Sequence, residues 1–168
     1  MKNLIYFMFF CICCNNVLLA QKSDKFYKTV FAEWKGSSYN YSLNYDMRLK
    51  KGVKDGFGFR LGAEYVSQKN DILKYYEKRV VLPFEVNYLK GNYLHYLDVG
   101  VGSSFNYIDA SFGNDNTKKW LILMVPSVGY RYQGKKGLMI RANYTPNFNF
   151  QENSIINHRV GFGLGYSF

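Results

Sequence analysis

The sequence predicts an all-β protein: an eight-stranded antiparallel up-and-down transmembrane β-barrel, preceded by a cleaved signal peptide. Three observations support this prediction, namely an apolar leader, strands with two unlike faces, and connections that alternate in length. The clearest strand is 158–168, where apolar or aromatic residues alternate with arginine, glycine and serine. Successive side chains of a strand point to opposite sides. The pattern therefore gives one face for lipid and one for a narrow lumen.

Residues 1–20 are predicted to form the signal peptide, and residues 21–168 the barrel. Lys2 provides a positive charge, an apolar run extends from Leu4 to Cys14, and Ala20 precedes the expected cleavage site. An uncleaved anchor is one alternative, but the run is short for a membrane span. Lipoprotein processing at Cys14 is another, but cysteine rather than a small residue precedes it.

All three cysteines lie in this leader. Cleavage after Ala20 would therefore leave a mature chain without disulfides, thiolate metal sites or a cysteine nucleophile.

Eight extended segments follow the leader, and none of the mature chain shows the 3.6-residue period of a helix. The segments are 27–35, 42–49, 57–67, 79–89, 94–106, 120–133, 138–145 and 158–168. The second, fourth and sixth connections are short, whereas the third, fifth and seventh are longer. This alternation is typical of periplasmic turns and external loops. The first connection, 36–41, is short for an external one, and Pro83 is expected to cause a bulge or a break in strand pairing.

The predicted inward faces contain five acids and five arginines but no lysine. These residues are Glu33, Asp46, Glu64, Glu85 and Asp98, with Arg48, Arg60, Arg131, Arg141 and Arg159. Arginine is suited to buried, bidentate pairing with carboxylates, and an eight-stranded barrel is only just filled by side chains. We therefore expect a closed lumen filled by ion pairs. The alternative is a proton or ion path, or an acid–base pair, although buried charges are normally paired.

The formal net charge of +10 arises from 22 basic and 12 acidic residues. The lysines cluster near predicted strand ends, where they would face lipid phosphates, and no nucleic-acid-binding motif accompanies them. Nucleic acid is therefore not an expected partner. The chain also has 16 tyrosines, 14 phenylalanines and 2 tryptophans. Many of these aromatic residues lie near outward strand ends, as in the aromatic girdles of membrane barrels.

No catalytic, cofactor-binding or metal-binding residue is predicted, and no cofactor is expected. His95 and His158 are assigned to opposite ends of the barrel, so a shared metal or a catalytic triad is not expected. One class of small lipid A-modifying barrel enzymes has a histidine and a serine two residues apart near the external rim. Here Val160 occupies the position of that serine. The glycine repeats lack the Lys-Ser/Thr of a phosphate loop.

Five segments carry a resemblance to a known group of proteins. They read YSLNYD at 41–46, LPFEVNYL at 82–89, VGYRYQ at 128–133, RANYTP at 141–146 and GLGYSF at 163–168. With these segments in this order, the chain resembles small outer-membrane β-barrel proteins of Bacteroidota-type bacteria, broadly similar to OmpA/OmpX-type barrels. The resemblance implies the fold and an outer-membrane location, and it brings no catalytic residues to this chain.

The expected function is that of a non-enzymatic integral outer-membrane protein of a Gram-negative cell envelope. Its role would be structural, or one of surface interaction through connections 68–78, 112–119 and 146–157. Its expected partners are outer-membrane lipids and lipopolysaccharide, with an extracellular or envelope protein at the loops. Two alternatives remain: a lipid A-modifying enzyme, and a soluble periplasmic lipocalin-like lipid carrier. The carrier would turn the aromatic faces inward and the ten charges outward.

Overall fold

The computed structural model describes residues 25–70, 75–112, 115–149 and 154–168. The predicted signal peptide, 1–20, lies outside the described residues. The strands are β1 Phe26–Trp34, β2 Tyr41–Lys51, β3 Gly56–Asn70, β4 Tyr75–Asn92, β5 His95–Phe112, β6 Asp115–Gln133, β7 Leu138–Tyr144, β8 Asn147–Asn149, β9 Ser154–Asn157 and β10 Val160–Ser167. Within these ranges, no helix is long and apolar enough to cross a membrane.

The strands form a closed antiparallel ring. Each strand from β1 to β7 pairs with its neighbour in sequence, and β10 pairs with both β7 and β1. The sheet therefore has no free edge within the ring. The predicted all-β, antiparallel up-and-down barrel is confirmed.

The ten strand segments make eight barrel strands, because β8 continues β7 and β9 leads into β10. Val128 of β6 pairs with Tyr144, and Met124 pairs with Phe148 in the same register. Pro146 interrupts the ladder between these pairs because proline has no N–H to donate. The backbone N–H of Thr145 still donates to the carbonyl of Arg159, at 2.8 Å.

Four strands, β3 to β6, extend further at their paired hairpin ends than the sequence analysis predicted. The β3–β4 hairpin stays paired up to Asn70 with Tyr75, and the β5–β6 hairpin up to Phe112 with Asp115. The predicted loops 68–78 and 112–119 are therefore wrong as loops, since only 71–74 and 113–114 lie outside the described strands. Loop 146–157 contains β8 and β9, and residues 150–153 of it lie outside the described part.

The physical reason for this error is that alternation marks a strand only where one face is buried. Beyond the barrel most side chains other than the buried Ile108 have access to water, so polar residues occupy both faces, while the backbone groups still pair across the hairpin. We call the four paired ends at 66–70, 75–79, 108–112 and 115–119 the protruding sheet.

Pro83 breaks the pairing of β3 with β4 without causing a bulge there. The ladder stops at Leu61 with Phe84 and resumes in the same register at Glu64 with Val81. Gly62 lies opposite the proline, and a side chain there would meet the proline ring at 2.8 Å. Register shifts occur elsewhere in the described sheet, between Phe26 and Lys28 in the β1–β2 ladder and between Asn147 and Asn149 in the β8–β9 ladder.

The two faces of the barrel have opposite chemistry. Outward-facing Leu43 and Leu164 are 63% and 61% exposed, whereas inward-facing Arg60, Arg131 and Arg141 are fully buried. A protein folded in water buries the leucines and exposes the arginines. The arrangement here is the reverse, as in a barrel surrounded by lipid.

The two ends of the barrel also differ. The short-turn end carries connections 52–55, 93–94 and 134–137 and both strand termini, Phe26 and Ser167. The hairpin end carries connection 35–40 and the protruding sheet. Aromatic residues ring both ends on the outward face: Trp34, Tyr41, Tyr65, Tyr107, Trp120 and Tyr144 at the hairpin end, and Phe57, Tyr88, Tyr130, Tyr166 and Phe168 at the short-turn end.

The lumen charge network and the rim of the hairpin end

The buried charges of the lumen form two halves, and the first is built around the carboxylate of Asp46. Arg131 donates to both of its oxygens, each at 3.1 Å, in a bidentate pair. Arg48 donates to the same oxygens at 2.7 Å, and Asn87 adds a bond of 2.8 Å. Asp46 is 1% exposed. This carboxylate therefore compensates two buried guanidinium groups, with an amide to complete its hydrogen bonding.

The second half is built around Arg60 and Arg141, which share two carboxylates. Arg60 donates to Glu33 at 3.0 Å and to Glu85 at 2.6 Å. Arg141 donates to the same two residues at 2.9 and 3.1 Å, and its Nε donates to Asp98 at 2.9 Å. Since Asp98 also lies 3.2 Å from Nε of Arg131, the two halves are joined.

The joined cluster, which we call the lumen network, contains four carboxylates and four guanidinium groups. Its members are Glu33, Asp46, Glu85, Asp98, Arg48, Arg60, Arg131 and Arg141. Asp46 and Arg131 lie on β2 and β6, which have three barrel strands between them on either side. The pair therefore crosses the full width of the lumen, and the balanced charges cancel within the cluster.

Glycines opposite the charged residues give them room. A side chain at Gly58 would lie 2.2 Å from the Arg48 guanidinium carbon, and one at Gly100 would lie 2.6 Å from a carboxylate oxygen of Glu85. The alternation of glycine with apolar residues along these strands thus has a steric cause on the inner face.

Two of the ten predicted lumen charges lie at the rim of the hairpin end and hold the backbone. Glu64 accepts the backbone N–H groups of Tyr39 and Asn40 at 2.7 and 2.5 Å. Arg159 is half-buried and donates to the carbonyl of Ser38 at 2.8 Å. Both residues therefore fix the first connection in place.

This first connection folds into the mouth of the barrel, which sequence reasoning missed. Ser37 and Ser38 are buried, and the Ser37 hydroxyl donates to Glu33 and accepts from Arg60 at 2.9 Å. Lys35 and Gly36 both have positive φ, which turns the chain inward. The available signal was the run of small residues at 36–38 directly after a strand. We call 35–40 the inner loop.

Tyr39 of the inner loop lies between two arginines. The guanidinium carbon of Arg79 is 3.9 Å from the centre of its ring, and that of Arg159 is 4.2 Å away. Such cation–π contacts stabilise most when the charge is partly desolvated. The ring therefore ties the inner loop to both β4 and the start of β10.

The histidines lie where the sequence analysis placed them, at opposite ends of the barrel. His95 bonds the hydroxyl of Tyr130 through Nδ1 at 2.5 Å, and His158 bonds the hydroxyl of Tyr144 in the same way. Across the described ranges, no group of three or more histidine, cysteine or acidic side chains is arranged to hold a metal ion.

A closed antiparallel ring, apolar outside and charged inside, defines the class of β-barrels that span outer membranes. Solved structures of this class are similar to the chain. The N-terminal barrel of OprF from Pseudomonas aeruginosa gives a TM-score of 0.58 at 13% identity, over 88% of this chain and 98% of that one. A major outer membrane protein from Thermus thermophilus gives 0.62 at 12% identity, over 86% and 100%.

The attachment invasion locus protein Ail of Yersinia pestis gives a TM-score of 0.54 at 14% identity, over 87% of this chain and 97% of that one. At these identities the likeness is one of fold. No model of a protein family matches the chain, and no curated protein matches it.

Proposed function

We propose that this protein is a non-enzymatic integral barrel of a bacterial outer membrane, with a structural or surface-interaction role. The observation that carries the proposal is the reversed distribution of polarity, with paired charges inside and exposed apolar side chains outside. In water this exterior would be a very large apolar patch. In a bilayer it is the expected surface, and the closed ring satisfies the backbone.

The proposed orientation has the hairpin end outside the cell. Short turns face the periplasm in bacterial barrels, and longer hairpins face outward. Both strand termini lie at the short-turn end. The protruding sheet would then stand in the external medium as a partner-binding element. Its backbone pairing holds it in one conformation, which lowers the entropic cost of binding.

The lumen network supports a closed barrel rather than a channel. Its eight side chains are nearly or fully buried, and every ion pair except Arg48–Asp46, which lies within β2, joins two different strands. Conduction through this cluster would separate buried charges from their partners, which is costly. We therefore assign the network a structural role.

Single cysteines test the location and the orientation together, because residues 21–168 contain none. Asn116→Cys places a thiol on the protruding sheet, and Lys135→Cys places one in an exposed short turn. A membrane-impermeant maleimide applied to intact cells should label the first variant and not the second, whereas both react after lysis. Labelling of Lys135→Cys alone would show that the orientation is the opposite of the proposed one. Recovery of the protein in the soluble fraction would refute the proposal.

The mass of lipid A tests the assignment as non-enzymatic. Cells with and without the gene should give the same lipid A mass spectrum. A mass change that requires the gene and is abolished by His158→Ala would show a lipid-modifying enzyme instead.

A further inference from the structure

A basic groove lies at the rim of the hairpin end, where β1 and β10 meet the inner loop. It has a volume of about 440 Å³. Its upper wall consists of Lys35, Tyr39, His158 and Arg159. Its lower wall consists of Trp34, Val160 and Phe162, which belong to the outward face of the barrel. The groove therefore joins the polar rim to the apolar exterior.

Every charged or titratable side chain of the upper wall is basic, apart from the phenol of Tyr39. Arg159 is held by two contacts, its bond to Ser38 and its stacking on Tyr39. A guanidinium group has five N–H donors, so this held side chain has donors left for a ligand. A positioned arginine of this kind suits the oxygens of a phosphate.

Lys35 and His158 flank this arginine. The ammonium group of Lys35 lies 4.9 Å from the centre of the Trp34 ring, and the side chain is exposed. His158 uses Nδ1 for the hydroxyl of Tyr144, which leaves Nε2 as the ring nitrogen for another partner. Both groups complement negative charge.

The lower wall suits an acyl chain. Trp34 and Phe162 are partners across β1 and β10, and their rings stack at 6.2 Å. Phe162 and Val160 are 52% and 51% exposed on the outward face. A ligand that fills both walls has an anionic head and an apolar tail, and it lies at the height of the aromatic girdle, where lipid headgroups lie.

We propose that this groove binds the phosphate group of an anionic lipid of the outer leaflet, with the phosphates of lipid A as the ligand. The inference rests on the proposed function, since only an external hairpin end places the groove in that leaflet. Arg159 and Lys35 contact the phosphate, while the ring of Trp34 and the side chains of Val160 and Phe162 contact the first part of an acyl chain.

Binding of lipid A to the full mature protein in detergent tests this inference. We expect diphosphoryl lipid A to bind more tightly than a dephosphorylated analogue. Each basic residue near a lipid surface contributes about 1 kcal/mol. Lys35→Gln should therefore weaken binding about fivefold, and Lys35→Gln with Arg159→Gln about thirtyfold. Lys35→Gln alone leaves the contacts of Arg159 with the inner loop in place, so it separates ligand binding from loop packing.

The matched control is the double variant Lys78→Gln with Lys118→Gln, which removes the same charge from the protruding sheet at the same end. It should retain the affinity of the parent. An equal loss in the control would show general attraction to basic residues and would overturn the assigned site. Equally tight binding of inorganic phosphate would show a free-anion site and would overturn the lipid assignment.

Each sample is also run on a gel with and without boiling. A folded barrel that shifts its mobility on boiling but does not distinguish the two lipids would refute the groove and leave the proposed function standing. A protein that forms no such barrel would refute the proposed function itself.

Discussion

Asp46 is the centre of one half of the lumen network, because its carboxylate pairs with two arginines that have little access to water. Arg48 and Arg131 are 1% and 0% exposed. Neutralising the carboxylate leaves both guanidinium groups undercompensated, and an unpaired buried charge costs far more than a surface pair contributes.

Asp46→Asn should therefore lower the free energy of unfolding by about 3–5 kcal/mol, measured by urea titration of the protein in detergent or lipid. Asp109→Asn is the control, since Asp109 pairs with Lys118 in the protruding sheet at 3.8 Å and the two side chains are 35% and 65% exposed. That substitution should cost less than about 1 kcal/mol. Equal losses in the two variants would contradict a lumen held together by charge.

Gly58→Ala should destabilise the barrel by about 1–3 kcal/mol because the added carbon overlaps Arg48 at 2.2 Å and the carbonyl of Met47 at 2.6 Å. Gly134→Ala is the matched control: it also lacks a positive φ, and its nearest contact is 3.3 Å. Thermal unfolding of the two variants compares them directly. A destabilised Gly134→Ala beside a stable Gly58→Ala would contradict the packing described for the lumen.

The lumen charges were predictable residue by residue because the period of two assigns each side chain to a face. Their individual roles were not. Glu64 and Arg159 share the inward face with Glu33 and Arg141, yet they bind the backbone of the inner loop. This difference arises from the conformation of the inner loop, which depends on its tertiary contacts with the rest of the barrel.

Among the elements, the inner loop is anchored to the barrel by several side chains, and the carboxylate of Glu64 holds its end. Both backbone donors at its end reach the carboxylate of Glu64. Hydrogen bonds to a charged acceptor contribute about 1.5–3 kcal/mol each. The loop also seals the mouth of the barrel with Ser37 and Ser38.

Glu64→Ala should raise amide hydrogen exchange at Tyr39 and Asn40 by roughly tenfold or more. Because the lumen network is untouched, global unfolding should change much less than in Asp46→Asn. Exchange measured by NMR in micelles reports both effects. Asp109→Ala, at the same end of the barrel, provides the control, because Asp109 pairs with Lys118 and not with the inner loop. Faster exchange there with none in Glu64→Ala would exclude the described anchoring of the loop.

The protruding sheet shows why strand ends were the least predictable part of the fold. Its residues carry lysine, aspartate, serine and asparagine, which are common in loops. The hairpin partners supply the hydrogen bonds all the same, from Ser67 with Lys78 to Asp109 with Lys118. Sequence pattern reports burial, and the described side chains of these strand ends include one buried residue, Ile108, rather than a continuous buried face.

At the scale of the whole molecule, the barrel has the opposite distribution of polarity from a water-soluble protein, with apolar side chains outside and charged side chains inside. Strand number, strand order and the assignment of faces all followed from alternation and connection length, because closing a ring of eight strands leaves few arrangements. The central physical claim is that the outer face of the barrel contacts lipid, as opposed to a carrier whose interior holds a ligand. The aromatic and apolar side chains on the outer face and the neutralised charges in the lumen support lipid outside.

The most direct test of this claim uses the two tryptophans of the chain, Trp34 and Trp120. Both lie on the outward face at the hairpin end, 42% and 66% exposed. In vesicles made with brominated lipids, bromine near the headgroup should quench their fluorescence more strongly than bromine deep in the acyl chains, while aqueous acrylamide quenches little. Fluorescence insensitive to bromine at any depth but readily quenched by acrylamide would contradict the account, because it would place both side chains away from lipid.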